Sequence, residues 1–139
     1  MSQTLIFWPA YAQVILTLGV LIAMGMARQA SLKAKRKTLD DVAMNRPDDW
    51  DEQATKAANC FKNQFEMPVL FFAAVAMALA LKVVDPVLVA FAWLFVAARA
   101  IQIGIHLGPN VVAWRGLAYI VGVAAVLAMW VLLAVRMMG

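Results

Sequence analysis

The chain is short of nearly everything that a water-soluble domain displays at its surface. Of 139 residues only 14% are charged, and 65% are hydrophobic, where an average soluble domain has about 25% and about 45–50%. Too little polar surface remains to face water, which excludes a soluble globule. Mean hydropathy is +0.80. The single cysteine, Cys60, permits no internal disulfide and no zinc cluster, and leaves the redox compartment unread. Acids are fewer than bases, 8 against 12, giving a pI near 9.6. Much of that excess sits in one short segment beside a hydrophobic run, where anionic lipid headgroups are a simpler partner than nucleic acid. Internal repeats and low-complexity tracts are also lacking.

What the sequence does have is long apolar runs. About 20 residues cross a bilayer, so 139 residues hold four crossings and one polar connection, with no room for a second domain. The first run, Leu5 to Ala27, is 23 residues broken only by Gln13, Thr17 and Pro9. No Lys or Arg precedes it, so it reads as a retained helix and not a cleaved signal. Arg28 to Lys56 then collects seven Lys/Arg and six acids. Within it Asp49-x-x-Glu52 has capping-box spacing, which predicts a long helix from Trp50 to Lys82. Only 15 uncharged residues separate Glu66 from Lys82, about 22 Å of helix, so Glu66 must enter the membrane. The third run is Pro86 to Leu107, with Arg99 as its one charge, and the fourth is Gly116 to Val135. The expected fold is an all-α integral membrane protein, a four-helix bundle with helices over 5–28, 50–82, 86–107 and 113–136 and a loop over 29–49. Lys and Arg concentrate in the first connection, which puts it in the cytoplasm and both termini outside.

Ionisable residues inside spans are costly and mark functional candidates. Asn59, Asn63 and Glu66 share one face of the second span by spacing, and Arg99, Gln102 and His106 share one of the third. Both Glu66 and Arg99 fall about 21–24 Å from the hairpin joining these spans, which predicts that they pair. A pair alone fits a helix lock as well as a site. Arg28, Lys62, Asn110, Arg115 and Tyr119 gather at the same level, more donors than a lock requires. Arg28, Lys62, Arg99 and Arg115 bring four positive charges, and Arg115 opens the fourth helix, whose free amides add positive potential. The cluster therefore suits a ligand with several carboxylates. His106 without further His, Cys or carboxylate partners is not a metal site, and Cys60 reads as packing. Trp8, Trp50 and Trp114 fit an interfacial belt, Lys33 to Lys37 a lipid-facing anchor, and residues such as Ala98, Gly104 and Gly122 allow close helix contact.

The order of residues resembles the MAPEG family, the membrane-associated proteins of eicosanoid and glutathione metabolism. Asn63-Gln64-Phe65-Glu66-Met67-Pro68-Val69-Leu70-Phe71 looks like that family's Asn-x-x-Glu, proline and apolar run. Arg99-x-x-Gln102-x-x-x-His106-x-x-x-Asn110-x-x-x-x-Arg115-x-x-x-Tyr119 is similar to its third-to-fourth-helix stretch. The resemblance implies a homotrimer with glutathione, as co-substrate, between subunits near the cytoplasmic side. Arg28, Lys62, Asn63, Glu66, Arg99, Gln102, His106 and Tyr119 would bind it, and Arg115 would stabilise its thiolate. Lys62 stands where eicosanoid-forming members usually have arginine, Gln102 where many have histidine, His106 where eicosanoid enzymes tend to have tyrosine, and Gly116 where one branch has serine. The pattern is nearer to the bacterial-type branch resembling microsomal glutathione transferases. The resulting expectation is a glutathione-dependent transferase or peroxidase of the bacterial inner membrane, acting on lipophilic electrophiles or hydroperoxides that enter from the lipid. The alternatives are a non-catalytic relative with a structural polar cluster, or a small transporter.

Overall fold

The computed structural model describes residues 2–139. A 3-10 turn over Gln3–Ile6 leads into α1 (Phe7–Lys35), followed by α2 (Glu52–Asn63), α3 (Met67–Leu81), α4 (Pro86–Leu107) and α5 (Val112–Met138). Four helical stretches are long and apolar enough to cross a membrane, with α2 and α3 together forming the second.

Lipid tails are as apolar as these helices, so association depends on close packing and on interhelical hydrogen bonds. Ala118, Gly122 and Ala125 form a buried small-residue stripe on α5. A Cβ at Gly122 would already lie 3.6 Å from the Phe95 ring of α4, so nothing larger than a methyl fits without displacement. Phe95 in turn stacks on Phe71 of α3 at 4.5 Å between centroids, which ties three helices into one core with Ala74, Leu88, Ala92 and Met129. On the hairpin side, Asp85 caps α4 by accepting from the Leu88 amide at 2.8 Å, and Pro86 takes the first helical position, where a missing N–H costs nothing. Arg136 forms an ion pair with Asp85 and donates to the Val83 carbonyl at 3.0 Å. That clasp closes the end of the bundle opposite the polar loop.

The structure moves three expected boundaries. First, α1 does not end at Arg28; it continues two turns to Lys35, and the connection begins at Arg36, whose φ of 53° stops the helix. The extension persists because the loop folds back on it. The Asp51 amide donates to Ser31 Oγ at 2.9 Å, and Lys35 Nζ donates to the Asp48 carbonyl at 2.6 Å. Second, the cap of α2 is Asp51 and not Asp49: its carboxylate accepts from the Ala54 amide at 2.9 Å. Asp49 instead serves a separate 3-10 turn, Pro47–Asp49, accepting from the Arg46 amide at 2.8 Å. Third, the expected continuous helix over 50–82 is broken at Gln64–Glu66. Pro68 has no N–H to offer the carbonyl four residues back, and its ring crowds that carbonyl. The last turn of α2 tightens to three-residue bonds, from Gln64 N to Phe61 O, Phe65 N to Lys62 O and Glu66 N to Asn63 O.

Lys37 anchors the loop by pairing with Asp49 at 3.1 Å. Asp49 is held below its ordinary carboxylate range, first by the Lys37 hydrogen bond and then by the Arg46 amide. Asp41 is lowered by hydrogen bonds from Thr38. A depressed carboxylate contributes order above its unfolded pKa and loses that contribution as pH falls through the folded value. The loop is therefore expected to keep its hydrogen-exchange protection from neutral pH down to about 4 and to lose it below. Asp49→Asn should remove much of that acid step.

Candidate functional site

The break between α2 and α3 organises the polar end of the bundle. A helix end leaves carbonyls without partners and carries partial negative charge. Here that end lies inside the protein, and side chains cover it. Gln64, 3% exposed, turns its amide onto the Cys60 carbonyl at 2.9 Å. Gln13 of α1, fully buried, donates to Gln64 Oε1 at 3.2 Å, and Gln13 Oε1 is left without a partner. Arg99 of α4 donates one guanidinium nitrogen to the Asn63 carbonyl at 3.3 Å and another to Gln102 Oε1.

Arg99 is the largest fully buried side chain, 1% exposed, and its Nε has no partner. The expected Glu66–Arg99 ion pair is not formed. Among the described residues the ion pairs are Lys37–Asp49 and Arg136–Asp85, and Glu66 is exposed at the helix break. The break redirects it: with φ −94° and ψ −102°, Glu66 does not continue the α2 face on which Asn63 lies. A neutral carbonyl, a side-chain amide and the C-terminal dipole of α2 thus hold a buried guanidinium that has no carboxylate partner.

The face shared by Arg99, Gln102 and His106 is buried along its length, the last two at 3% and 4% exposure. The positive fields of Arg115, Arg99 and Lys56 reach His106, and that of Arg99 reaches Glu66. These residues form one electrostatic neighbourhood. Arg115, in the first turn of α5, donates to Asn110 Oδ1 at 2.5 Å. Asn110 reaches it from a left-handed backbone, φ 52°, a conformation that asparagine tolerates. No side chain caps the α5 N-terminus and no acid lies in its first turn, so its free amides add to the positive potential. The opposite terminus, at the end of α4, is covered: Lys56 Nζ donates to the Gly108 carbonyl at 3.0 Å and Gln53 Nε2 to the Leu107 carbonyl at 3.4 Å.

Two expected site residues lie apart from this cluster in the single chain. Lys62 is exposed, and its side chain makes no hydrogen bond or ion pair among the described residues. Arg28 faces the loop, with its guanidinium carbon 4.8 Å from the centre of the Trp50 ring. Sequence reasoning missed the Gln13–Gln64 link, although a glutamine inside an uncharged run is itself a signal of an interhelical bond. Cys60, read from the sequence as a packing residue, is 1% exposed, and its carbonyl accepts from the Gln64 amide. No group of three or more His, Cys, Asp and Glu side chains converges among the described residues to hold a metal ion. Beside the cluster, an apolar groove of about 210 Å³ runs between α4 and α5, lined by Ile101, Ile105, Trp114, Leu117 and Val121.

Four spans around a buried cationic cluster define a multi-pass integral membrane protein whose ionisable residues concentrate at one end. A sequence model of the MAPEG family matches residues 6–135. The chain belongs to the MAPEG family. No curated protein and no solved structure matches it.

Proposed function

We propose that this protein is a glutathione-dependent transferase or peroxidase acting on lipophilic electrophiles or hydroperoxides, and that it works as a homotrimer in a bacterial inner membrane with the loop side in the cytoplasm. The observation that carries the reading is Arg99, a buried guanidinium held only by neutral acceptors, beside Arg115 and the uncapped N-terminus of α5. A peptide with two carboxylates and a thiol supplies the missing negative charge. Arg99, Gln102 and His106 line the buried side of its site. Lys62 and Glu66, exposed in one chain, bind the same peptide across the boundary with the neighbouring protomer, Glu66 taking its ammonium.

Arg115 holds a fixed cation beside the sulfur, so the thiol ionises and its proton passes to water. Lowering a thiol pKa from about 8.5–9 to near 7 requires about 2–3 kcal/mol, within reach of one partly desolvated arginine and a helix N-terminus. The thiolate attacks an electrophilic carbon, forming a C–S bond as the leaving group departs with its electron pair. With a hydroperoxide the thiolate attacks the terminal oxygen, the O–O bond breaks and the alkoxide leaves, taking a proton from water to become the alcohol; the sulfenic acid so formed is attacked by a second glutathione, which closes the disulfide with loss of water. The α4–α5 groove, one residue from Arg115 at Trp114, gives the lipophilic partner access from the bilayer. Calorimetric titration with glutathione in detergent and in lipid, followed by turnover of a generic aryl halide, is expected to show saturable binding and activity. No binding in either medium contradicts the reading.

One observation favours a second reading. Arg99 bonds to α2 and to Gln102 within its own chain, as a structural lock would, and a non-catalytic relative needs no more. In that case Arg99 variants lose stability, and no glutathione binds to the wild type. Glu66, a carboxylate with no ion-pair partner among the described residues, is the group that a proton-coupled transporter would use. A proton-driven flux abolished by Glu66→Gln and indifferent to Arg115 would mark the transporter.

A further inference from the structure

The turn that leads into Arg115 is held from several sides. At Gly108, Pro109 and Asn110 the chain passes from α4 to α5. The Gly108 amide donates back to the Gly104 carbonyl at 3.1 Å, and the Asn110 amide to the Ile105 carbonyl at 2.7 Å. Lys56 Nζ, from α2, donates to the Gly108 carbonyl at 3.0 Å. A Cβ at Gly108 would lie 3.0 Å from the Gly104 carbonyl oxygen, so the turn closes this tightly on a glycine. These bonds fix the backbone that carries Asn110, and Asn110 Oδ1 accepts from the Arg115 guanidinium at 2.5 Å.

The chemistry of that acceptor decides what Arg115 can do. Its side chain makes one hydrogen bond among the described residues, and that bond goes to a neutral amide oxygen. A carboxylate in the same place would hold the guanidinium at least as firmly through a charge-assisted bond. Its negative charge would also offset the cation for anything bound alongside. The surroundings leave the cation equally uncompensated. The field of Arg115 reaches His106 of α4 and Cys60 of α2, and Arg99 and Lys56 are the other cations acting on His106. Tyr119 stands one turn further along α5. At the start of α2, Asp51 caps its own helix and Glu52 is exposed. Neither acid pairs with Arg115.

We propose that Asn110 is a positioning residue: its side-chain carbonyl aims the Arg115 guanidinium at the glutathione sulfur and, being neutral, leaves the positive charge whole. The proposal rests on the glutathione reading and adds to it a group that acts through Arg115. A free arginine side chain would have to be ordered each time the peptide binds. One held in advance on a fixed turn needs no such reorganisation.

The test follows the ultraviolet thiolate band of saturating glutathione against pH in the purified full-length wild type, Asn110→Asp and Asn110→Gly. Turnover of an aryl halide and melting temperature are measured on the same preparations. Asparagine's left-handed backbone, φ 52°, is open to aspartate and glycine as well, so both variants keep the turn. Asn110→Asp retains the acceptor and adds a charge. Its melting temperature should equal or exceed that of wild type, while the midpoint of the thiolate band rises by about one pH unit. Asn110→Gly retains the backbone and loses the acceptor. Its kcat/KM at pH 7 should fall about fivefold, and the deficit should shrink as pH rises. A wild-type midpoint in Asn110→Asp overturns the proposal. So does a loss in Asn110→Gly that is the same at every pH, the mark of a residue that only shapes the turn. Either result leaves the glutathione reading standing, because the wild type still shows its band. Absence of the band in wild type overturns the glutathione reading and the role of Asn110 with it.

Discussion

Replacing Arg115 by glutamine is expected to lower kcat/KM for glutathione-dependent turnover at pH 7 by about 10²-fold, and the loss should shrink as pH rises. Two effects contribute. A thiol pKa of 7 instead of about 9 raises the thiolate fraction at pH 7 about 50-fold. The more acidic thiolate is also the weaker nucleophile, and with a Brønsted slope of about 0.4–0.5 roughly eightfold is given back. About sixfold of net gain remains from ionisation. The rest comes from a charge-assisted hydrogen bond to the sulfur, about 1.5–3 kcal/mol. Above pH 9 the free thiol ionises unaided, so the ionisation part of the deficit disappears and the anchoring part stays. A merely structural role for Arg115 would give a pH-independent loss. Arg115→Lys should fall between, keeping the charge without the planar fork. Stability should change little, because Arg115 is half-buried and its side-chain bond is to Asn110.

Arg99→Ala should destabilise the fold by about 3–5 kcal/mol. It leaves Gln102 Oε1 and the Asn63 carbonyl without donors in a buried place, about 1–3 kcal/mol each, and opens a void where the largest fully buried side chain stood. Arg99→Met fills much of the volume and removes the cost of burying a charge, so its loss should be about 1–3 kcal/mol. The double variant Arg99→Met/Gln102→Leu replaces both partners by apolar groups and should be more stable than the sum of its singles. Denaturation in mixed micelles of the wild type, Arg99→Ala, Arg99→Met, Gln102→Leu and the double variant measures these differences. If Arg99 also receives a ligand's charge, folded Arg99→Met should bind no glutathione. Full binding in that variant would leave Arg99 a purely structural role.

The spans themselves were readable because hydropathy over about 20 residues is a local property, and the i, i+3, i+7 spacing of Arg99, Gln102 and His106 placed them on the face that is buried. The resemblance around Asn63 to Phe71 and Arg99 to Tyr119 pointed to the family that residues 6–135 match. What was not readable depends on contacts between distant residues. Pro68 fits the first turn of a new helix as well as a kink in an old one. The break is tolerated because Gln64 covers one freed carbonyl and Arg99, 36 residues from Asn63, bonds to another. The Gln13–Gln64 bond joins residues 51 apart. The Glu66–Arg99 pair is absent for the same reason: equal depth holds only along an unbroken helix, and Glu66 at the break is exposed. The loop-side extension of α1 exists because Ser31 and Lys35 find Asp51 and Asp48 on the returning chain.

The most direct measurement is the ultraviolet thiolate absorbance of glutathione mixed with the purified protein at pH 7, compared between wild type and Arg115→Gln. A thiolate band that saturates with wild type and is lost in the variant is the expected result. No band with wild type, or an equal band in the variant, would contradict a site in which Arg115 ionises the thiol.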